Sequence, residues 1–387
     1  MFISRIKLKN WKNFRYVDAE LSERTFLFGP NGCGKSNLLD VFRFMRDIVK
    51  SGGGLQKALQ DRGSLKKIKC LSAGKSDKVE LEFHFYPSFE KEAPPKWIYC
   101  IGFDYEDIPG QQKRTLISKE EVWKDNKPIL KRPDKQDKRD DWRLTQTNLE
   151  QIGYNLEFRE IYKYFNSVRY LHILPQLVRS PGTFTTTISK EDDFYGFHFL
   201  EIIAAAGVKT RKERLKKIEE ALQIAVPQLK KLTETRDERG IPHLEAIYKH
   251  WRQKGAKQQE DQFSDGTIRL IAFLWSILES NSLLLLEEPE LSLNASIVRN
   301  IPQLLYRINR KNKQQLIIST HSPDLLANEE IGGEEILLLT PTDEGTEIKR
   351  SSDIKEIRVL LESGLIPADV IMPYAEPGNI EELRSFE

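Results

Sequence analysis

Only three cysteines occur in the 387 residues, Cys33, Cys70 and Cys100. They are odd in number and have no CxxC spacing, which excludes a disulfide framework or a zinc cluster as the organising device and suits a reducing compartment. Long apolar runs are also lacking. The longest, Ile271–Leu278, is ended by Glu279, well short of the roughly 20 residues that span a bilayer. The opening Met1-Phe2-Ile3-Ser4-Arg5 has no apolar block with a small-residue cleavage site, so the expected location is the cytoplasm, with no membrane partner. Charge of one sign is missing too: 60 Lys+Arg against 58 Asp+Glu leave a net +2, and any DNA contact would have to be a local patch. No internal repeat and no sustained heptad is present, which excludes a solenoid and a long coiled coil.

What the chain does have is enough apolar residue, 39%, for a large core in two or three lobes. Phe2–Leu8 alternates apolar and polar, and Thr25–Phe28 is a short buried-type run ending on glycine; both predict strands. From Ser36, apolar residues at 38, 39, 42, 45 and 48 predict a helix that Gly52-Gly53-Gly54 terminates. Val79–Tyr86, Trp97–Tyr105 and Thr115–Leu130 alternate and predict antiparallel strands or hairpins, while Lys131–Arg143, rich in both charges, predicts a solvated loop. Val168–Leu174 predicts another strand, and Phe199–Val226 a helix with Leu215, Ile218, Leu222 and Ala225 on one face. The basic residues Arg211, Lys212, Arg214, Lys216 and Lys217 on that helix are interspersed with Glu213, Glu219 and Glu220, the pattern of a solvated face rather than a DNA patch.

Four segments carry chemistry. Gly29-Pro30-Asn31-Gly32-Cys33-Gly34-Lys35-Ser36 fits GxxxxGK[ST] between a strand and a helix. Its glycines turn backbone N–H groups toward phosphates, Lys35 reaches the β/γ-phosphates, and the Ser36 hydroxyl is a Mg²⁺ ligand; Asn37 continues the candidate nucleotide-binding set. Cys33 fills a variable position of that loop. Ser282–Glu290 is a buried strand that stops in two adjacent carboxylates. Neighbouring strand residues point to opposite faces, which assigns Glu287 to Mg²⁺ and Glu288 to the attacking water as general base. Ser264-Asp265-Gly266-Thr267 caps the helical run Ile268–Leu278. Alone it is an ordinary helix cap, but just before the carboxylate strand Ser264 and the Gly266 N–H are placed to meet a γ-phosphate. Leu316–Pro323 is a third buried strand ending in a polar loop that carries His321, which can sense that phosphate. No NKxD element for guanine is present, so ATP is the expected nucleotide.

Together, Gly-Pro-Asn-Gly-Cys-Gly-Lys-Ser, Ser-Asp-Gly-Thr, Leu-Leu-Leu-Leu-Glu-Glu-Pro-Glu and Ser-Thr-His-Ser-Pro resemble the ABC-type ATPases related to RecF, SMC proteins and OLD-family nucleases. The chain looks most like compact prokaryotic AAA family ATPases that carry this head without a long coiled coil. The resemblance implies an α/β fold, a mixed sheet with an antiparallel β subdomain and a helical lid. Its parts would be an N-terminal lobe over 1–175, a lid over 176–255 and a C-terminal lobe over 256–387. It implies a signature loop at Ser264–Thr267 acting in trans, a D-loop at Leu291–Asn294, and a switch histidine at His321. It therefore implies a homodimer or a higher even-numbered oligomer that uses ATP and Mg²⁺, with Lys35, Glu288 and His321 as the catalytic set. Gln176 stands in the order expected of a Q-loop; Gln56 and Gln60 fit that order less well. Two departures stand out: Asp265 replaces the glycine of transporter signatures, and Glu287 replaces an aspartate, which alters the reach to the metal. Proteins of this look accompany a nuclease-like partner in phage defence, which implies control of a separately encoded effector; the alternative is a DNA-associated clamp or repair ATPase. The 66 residues after His321 hold no Asp-x-Asp pair and are too few for a nuclease domain of the OLD type.

Overall fold

The computed structural model describes residues 1–74, 76–89, 94–106, 114–179, 189–251, 255–279 and 282–375. An antiparallel six-stranded sheet, in the order β2-β1-β4-β5-β6-β7, contains β1 (Phe2–Trp11), β2 (Phe14–Glu20), β4 (Val79–Tyr86), β5 (Trp97–Glu106), β6 (Arg114–Lys124) and β7 (Lys127–Arg132). A second six-stranded sheet, in the order β15-β14-β3-β13-β12-β8, contains β3 (Arg24–Phe28), β8 (Arg169–Leu171), β12 (Leu283–Glu287), β13 (Gln315–Thr320), β14 (Ile336–Thr342) and β15 (Gly345–Arg350). Its neighbours are parallel except for β14 with β15. A small third sheet is β11-β10-β9, from β9 (Leu229–Arg236), β10 (Pro242–Tyr248) and β11 (Ala256–Gln259).

The parallel sheet is apolar on both faces, and the two-residue period of a strand divides its side chains between two cores. Leu27, Leu283, Leu285, Ile317, Leu337 and Leu339 pack with the helix Lys35–Val49 and the antiparallel sheet. Their neighbours Phe26, Phe28, Leu284, Leu286, Leu316, Ile318, Ile336 and Leu338 pack on the opposite side with the helix Asp265–Glu279. The sheet is thus sandwiched between the two helices that begin at the two phosphate-type motifs.

Of the strands or hairpins expected, Thr115–Leu130 is a hairpin, because Asp125 and Asn126 take φ of 47° and 63°, the left-handed turn that short hairpins favour. Other local expectations change. The Phe199–Val226 helix is broken at Ala206-Gly207 into Phe199–Ala205 and Val208–Ala225. The stretch expected as a helical lid also holds β9 and β10, and the strand expected at Val168–Leu174 contracts to Arg169–Leu171. Lys131–Arg143 is not simply a solvated loop. Arg132 sits opposite Glu120 in the β6–β7 register, is buried, and binds Glu120 at 2.9 Å and Asp137 at 2.9 Å. A cation there is tolerable only because both carboxylates and the carbonyls of Arg143 and Gln146 satisfy it. On the Val208–Ala225 helix, Arg211 and Arg214 face Glu234 and Glu279 of their own chain, in keeping with an ordinary charged face.

Candidate nucleotide site

β3 delivers the chain into Gly29–Gly34, and the helix starts at Lys35. Gly34 has φ 102°, and a Cβ there would stand 2.1 Å from Asn13 Nδ2, so only glycine fits. Asn13 holds the loop from beneath: its Nδ2 donates to the Cys33 carbonyl at 2.9 Å, and Asn37 Nδ2 donates to its Oδ1 at 2.8 Å. Thr346, from β15, donates to the same Cys33 carbonyl at 2.8 Å. No side chain caps the helix start, so the first-turn N–H groups and the positive end of the helix face the loop. Asn31, Gly32 and Ser36 are exposed around it, whereas Lys35 is buried and its ammonium donates to the carbonyls of Gly29 at 2.8 Å and Pro30 at 3.1 Å. Cys33 is fully buried, and burial pushes its thiol up, which suits packing and not redox chemistry.

Strand parity places the first carboxylate. Glu287 shares its face with Leu283 and Leu285 and so projects toward the Lys35–Val49 helix, where its Oε1 accepts from the Ser36 hydroxyl. Its Oε2 accepts from the Tyr170 hydroxyl, on β8 next to β12. Burial, then the Glu287 carboxylate, pushes the Tyr170 hydroxyl up, so it remains a donor. A hydroxyl and a carboxylate at one point are hard oxygen ligands of the kind Mg²⁺ takes, so Ser36 and Glu287 fit such an ion. Glu288 leaves the strand at φ 45°, with its N–H on the Ser319 carbonyl at 3.0 Å, an uncommon conformation for a non-glycine residue. Its Oε1 lies 3.0 Å from His321 Nδ1, and both side chains reach solvent. Behind them the Thr320 hydroxyl donates to buried Glu290 at 2.5 Å and accepts from the Ser322 N–H at 3.0 Å, fixing the turn that carries His321. Burial pushes the Glu290 carboxyl up.

Ser264 is exposed and is also the cap of its own helix, accepting from the Thr267 N–H at 3.2 Å. Arg179 clamps this turn, pairing with Asp265 and donating to the Phe263 carbonyl at 2.7 Å. A Cβ on Gly266 would stand 2.5 Å from the Ser292 carbonyl, so the Ser264–Thr267 turn and the Leu291–Asn294 turn are packed against each other. The structure thus gathers Lys35, Ser36, Glu287, Glu288 and His321 at the ends of β3, β12 and β13. No hydrogen bond among the described residues joins Ser264, Gly266 or Gln176 to them. Gln176 lies exposed on the short helix Pro175–Arg179. Tyr170 is the residue that sequence reasoning missed; its only signal was an aromatic hydroxyl in a strand otherwise read for its apolar residues.

A parallel sheet with this loop and these carboxylates on its strand ends, braced by an antiparallel sheet, is the ABC-type P-loop head. The chain belongs to the family described as "AAA domain, putative AbiEii toxin, Type IV TA system", whose profile matches residues 24–327. Among solved structures, the SMC head bound to the C-winged helix domain of ScpA aligns at TM-score 0.52 and 14% identity, over 90% of this chain and 98% of that one. The SMC head domain from Thermotoga maritima aligns at TM-score 0.46 and 13% identity, over 90% and 99%. At such identity the first of these bears on the fold alone. No curated protein sequence matches the chain. No helix among the described residues is long and apolar enough to cross a membrane.

Proposed function

We propose that this chain binds and hydrolyses ATP in the Lys35 loop, closes with a second copy around the nucleotide, and uses that closure to control a separate effector in the cytoplasm. The observation that carries the ATPase part is the Ser36–Glu287 contact, which joins residues 251 apart in sequence at the one point where loop, helix and carboxylate strand meet. Ser36 and Glu287 would hold Mg²⁺, which when bound neutralises charge on the phosphate oxygens. Lys35 and the uncapped helix start bind the phosphates. Glu288 orients water and takes its proton, and His321, in contact with Glu288, fixes that carboxylate and reads the γ-phosphate. Ser264 and the Gly266 N–H act on the site of the partner copy, a reading supported by the absence, among the described residues, of hydrogen bonds from them to their own site residues. The division into an N-terminal lobe (1–175), a lid (176–255) and a C-terminal lobe (256–387) belongs to the same reading. So does control of a nuclease-like effector in phage defence, supported by the family and by the resemblance of the motifs.

The test is a pair of variants. Lys35→Ala is expected to abolish ATP binding, measured by equilibrium titration, whereas Glu288→Gln retains ATP, loses turnover at least 100-fold and accumulates as a dimer. Hydrolysis by Glu288→Gln at the parent rate removes Glu288 as base. Native purification with mass determination identifies the effector. Turnover stimulated by DNA, with steeply salt-dependent binding, would replace the effector reading with the DNA-associated one.

A further inference from the structure

Glu287 carries one methylene more than an aspartate would, which adds a rotatable bond to a group whose position must be fixed. Both of its oxygens are nonetheless held, Oε1 by the Ser36 hydroxyl and Oε2 by the Tyr170 hydroxyl. Tyr170 is itself clamped. The Arg43 guanidinium lies 4.3 Å from its ring centre, and Phe194 meets it edge-on at 5.3 Å. Arg43 belongs to the same helix as Ser36 and, seven residues on, to the same face. The contacts therefore close a ring: the helix supplies Ser36 to one carboxylate oxygen and, through Arg43 and Tyr170, fixes the donor to the other. Along that face Arg46 and Lys50 bind Asp192 at 3.1 Å and 3.0 Å, which anchors the turn that brings Phe194 onto Arg43 at 4.5 Å. A buried tyrosine hydroxyl needs a partner, and here the partner is the candidate metal ligand itself.

We infer that Tyr170 is a positioning residue for the Mg²⁺ site, fixing the orientation of the longer Glu287 carboxylate at a reach that a shorter side chain would not have; this rests on the reading of the Lys35 loop as an ATP·Mg²⁺ site. Residues behind a metal ligand typically change affinity 10- to 100-fold when removed. Tyr170→Phe keeps the ring, Arg43 and Phe194 in place and deletes one donor. The decisive measurement is binding of a fluorescent ATP analogue by the full chain, titrated with Mg²⁺ and repeated in EDTA.

The expected result is an Mg²⁺ midpoint raised about tenfold in Tyr170→Phe, with nucleotide binding in EDTA unchanged. Glu287→Asp, with Tyr170 intact, is expected to weaken Mg²⁺ binding although aspartate is the commoner ligand. In the Glu287→Asp background Tyr170→Phe should add little, because the shorter carboxylate has left the hydroxyl. An unchanged midpoint in Tyr170→Phe, even with a lowered melting temperature, overturns the inference. If Tyr170→Phe does not fold, Glu287→Asp decides alone, and Mg²⁺ binding as tight as in the parent overturns it. A parent chain whose nucleotide binding ignores Mg²⁺ overturns the ATP·Mg²⁺ reading as well, whereas a Mg²⁺-dependent parent with an unmoved Tyr170→Phe overturns the role of Tyr170 alone.

Discussion

At the scale of single residues, the charges of this chain fall into those that brace and those that stand ready. Glu82 on β4 belongs to the first group. Hydrogen bonding from His84 is the main cause of a carboxyl held at about 2; burial opposes it, and Lys7 at 2.7 Å assists. The folded value lies below the ordinary 4.5, so the stabilisation is fully present above that pH and is lost as pH falls toward 2. Glu82→Gln should therefore be less stable than the parent in urea unfolding at pH 6, and the gap should narrow steadily from pH 4.5 downward. A gap that does not change with pH would show that the Glu82 charge contributes nothing. Glu288 and His321 are of the second kind: they touch each other, reach solvent, and among the described residues their side chains are bound to no buried framework.

At the scale of elements, the site is made by strand ends, and this much could be read in the sequence. The run Leu283–Leu286 has to be a buried strand, and its period of two sends Glu287 toward the Lys35–Val49 helix; Glu288 lies past the strand end and turns to His321 through its φ of 45°, not through strand parity. Tyr170 was not legible, because its contact depends on which strand lies beside β12, and parallel pairing leaves no local mark. The third sheet escaped for a different reason: β9, Leu-Lys-Lys-Leu-Thr-Glu-Thr-Arg, buries two leucines three positions apart, a spacing that does not announce a strand. Arg132 escaped because a charge-rich run reads as solvated until a partner strand supplies Glu120. The turn at Gly266 gives a test at this scale. Gly266→Ala drives a Cβ to 2.5 Å from the Ser292 carbonyl, so the two turns must part. ATP binding to the Lys35 loop should be unchanged, while nucleotide-dependent dimer formation, measured by light scattering, should weaken at least tenfold. Loss of ATP binding in this variant would mean that the turn supports its own P-loop rather than a partner's.

At the scale of the molecule, the two helices that flank the parallel sheet begin at opposite tasks. The Lys35–Val49 helix starts at the site that its own β12 completes, whereas the Asp265–Glu279 helix packs on the other face and starts at an exposed cap. A cap held by Arg179 and by the Leu291–Asn294 turn, yet hydrogen-bonded, among the described residues, to none of its own site residues, makes sense as a surface offered to another copy. If so, one substitution separates binding from closure. Ser264→Arg puts a long cation where the partner's nucleotide would approach, without touching the Lys35 loop. It should bind ATP within about twofold of the parent, since no residue of that loop is altered. Combined with Glu288→Gln it should remain a monomer where Glu288→Gln alone becomes a dimer, and its turnover should fall with the dimer. A Ser264→Arg chain that still dimerises and hydrolyses at the parent rate would remove the trans role of this turn and leave the Lys35 site complete within one copy.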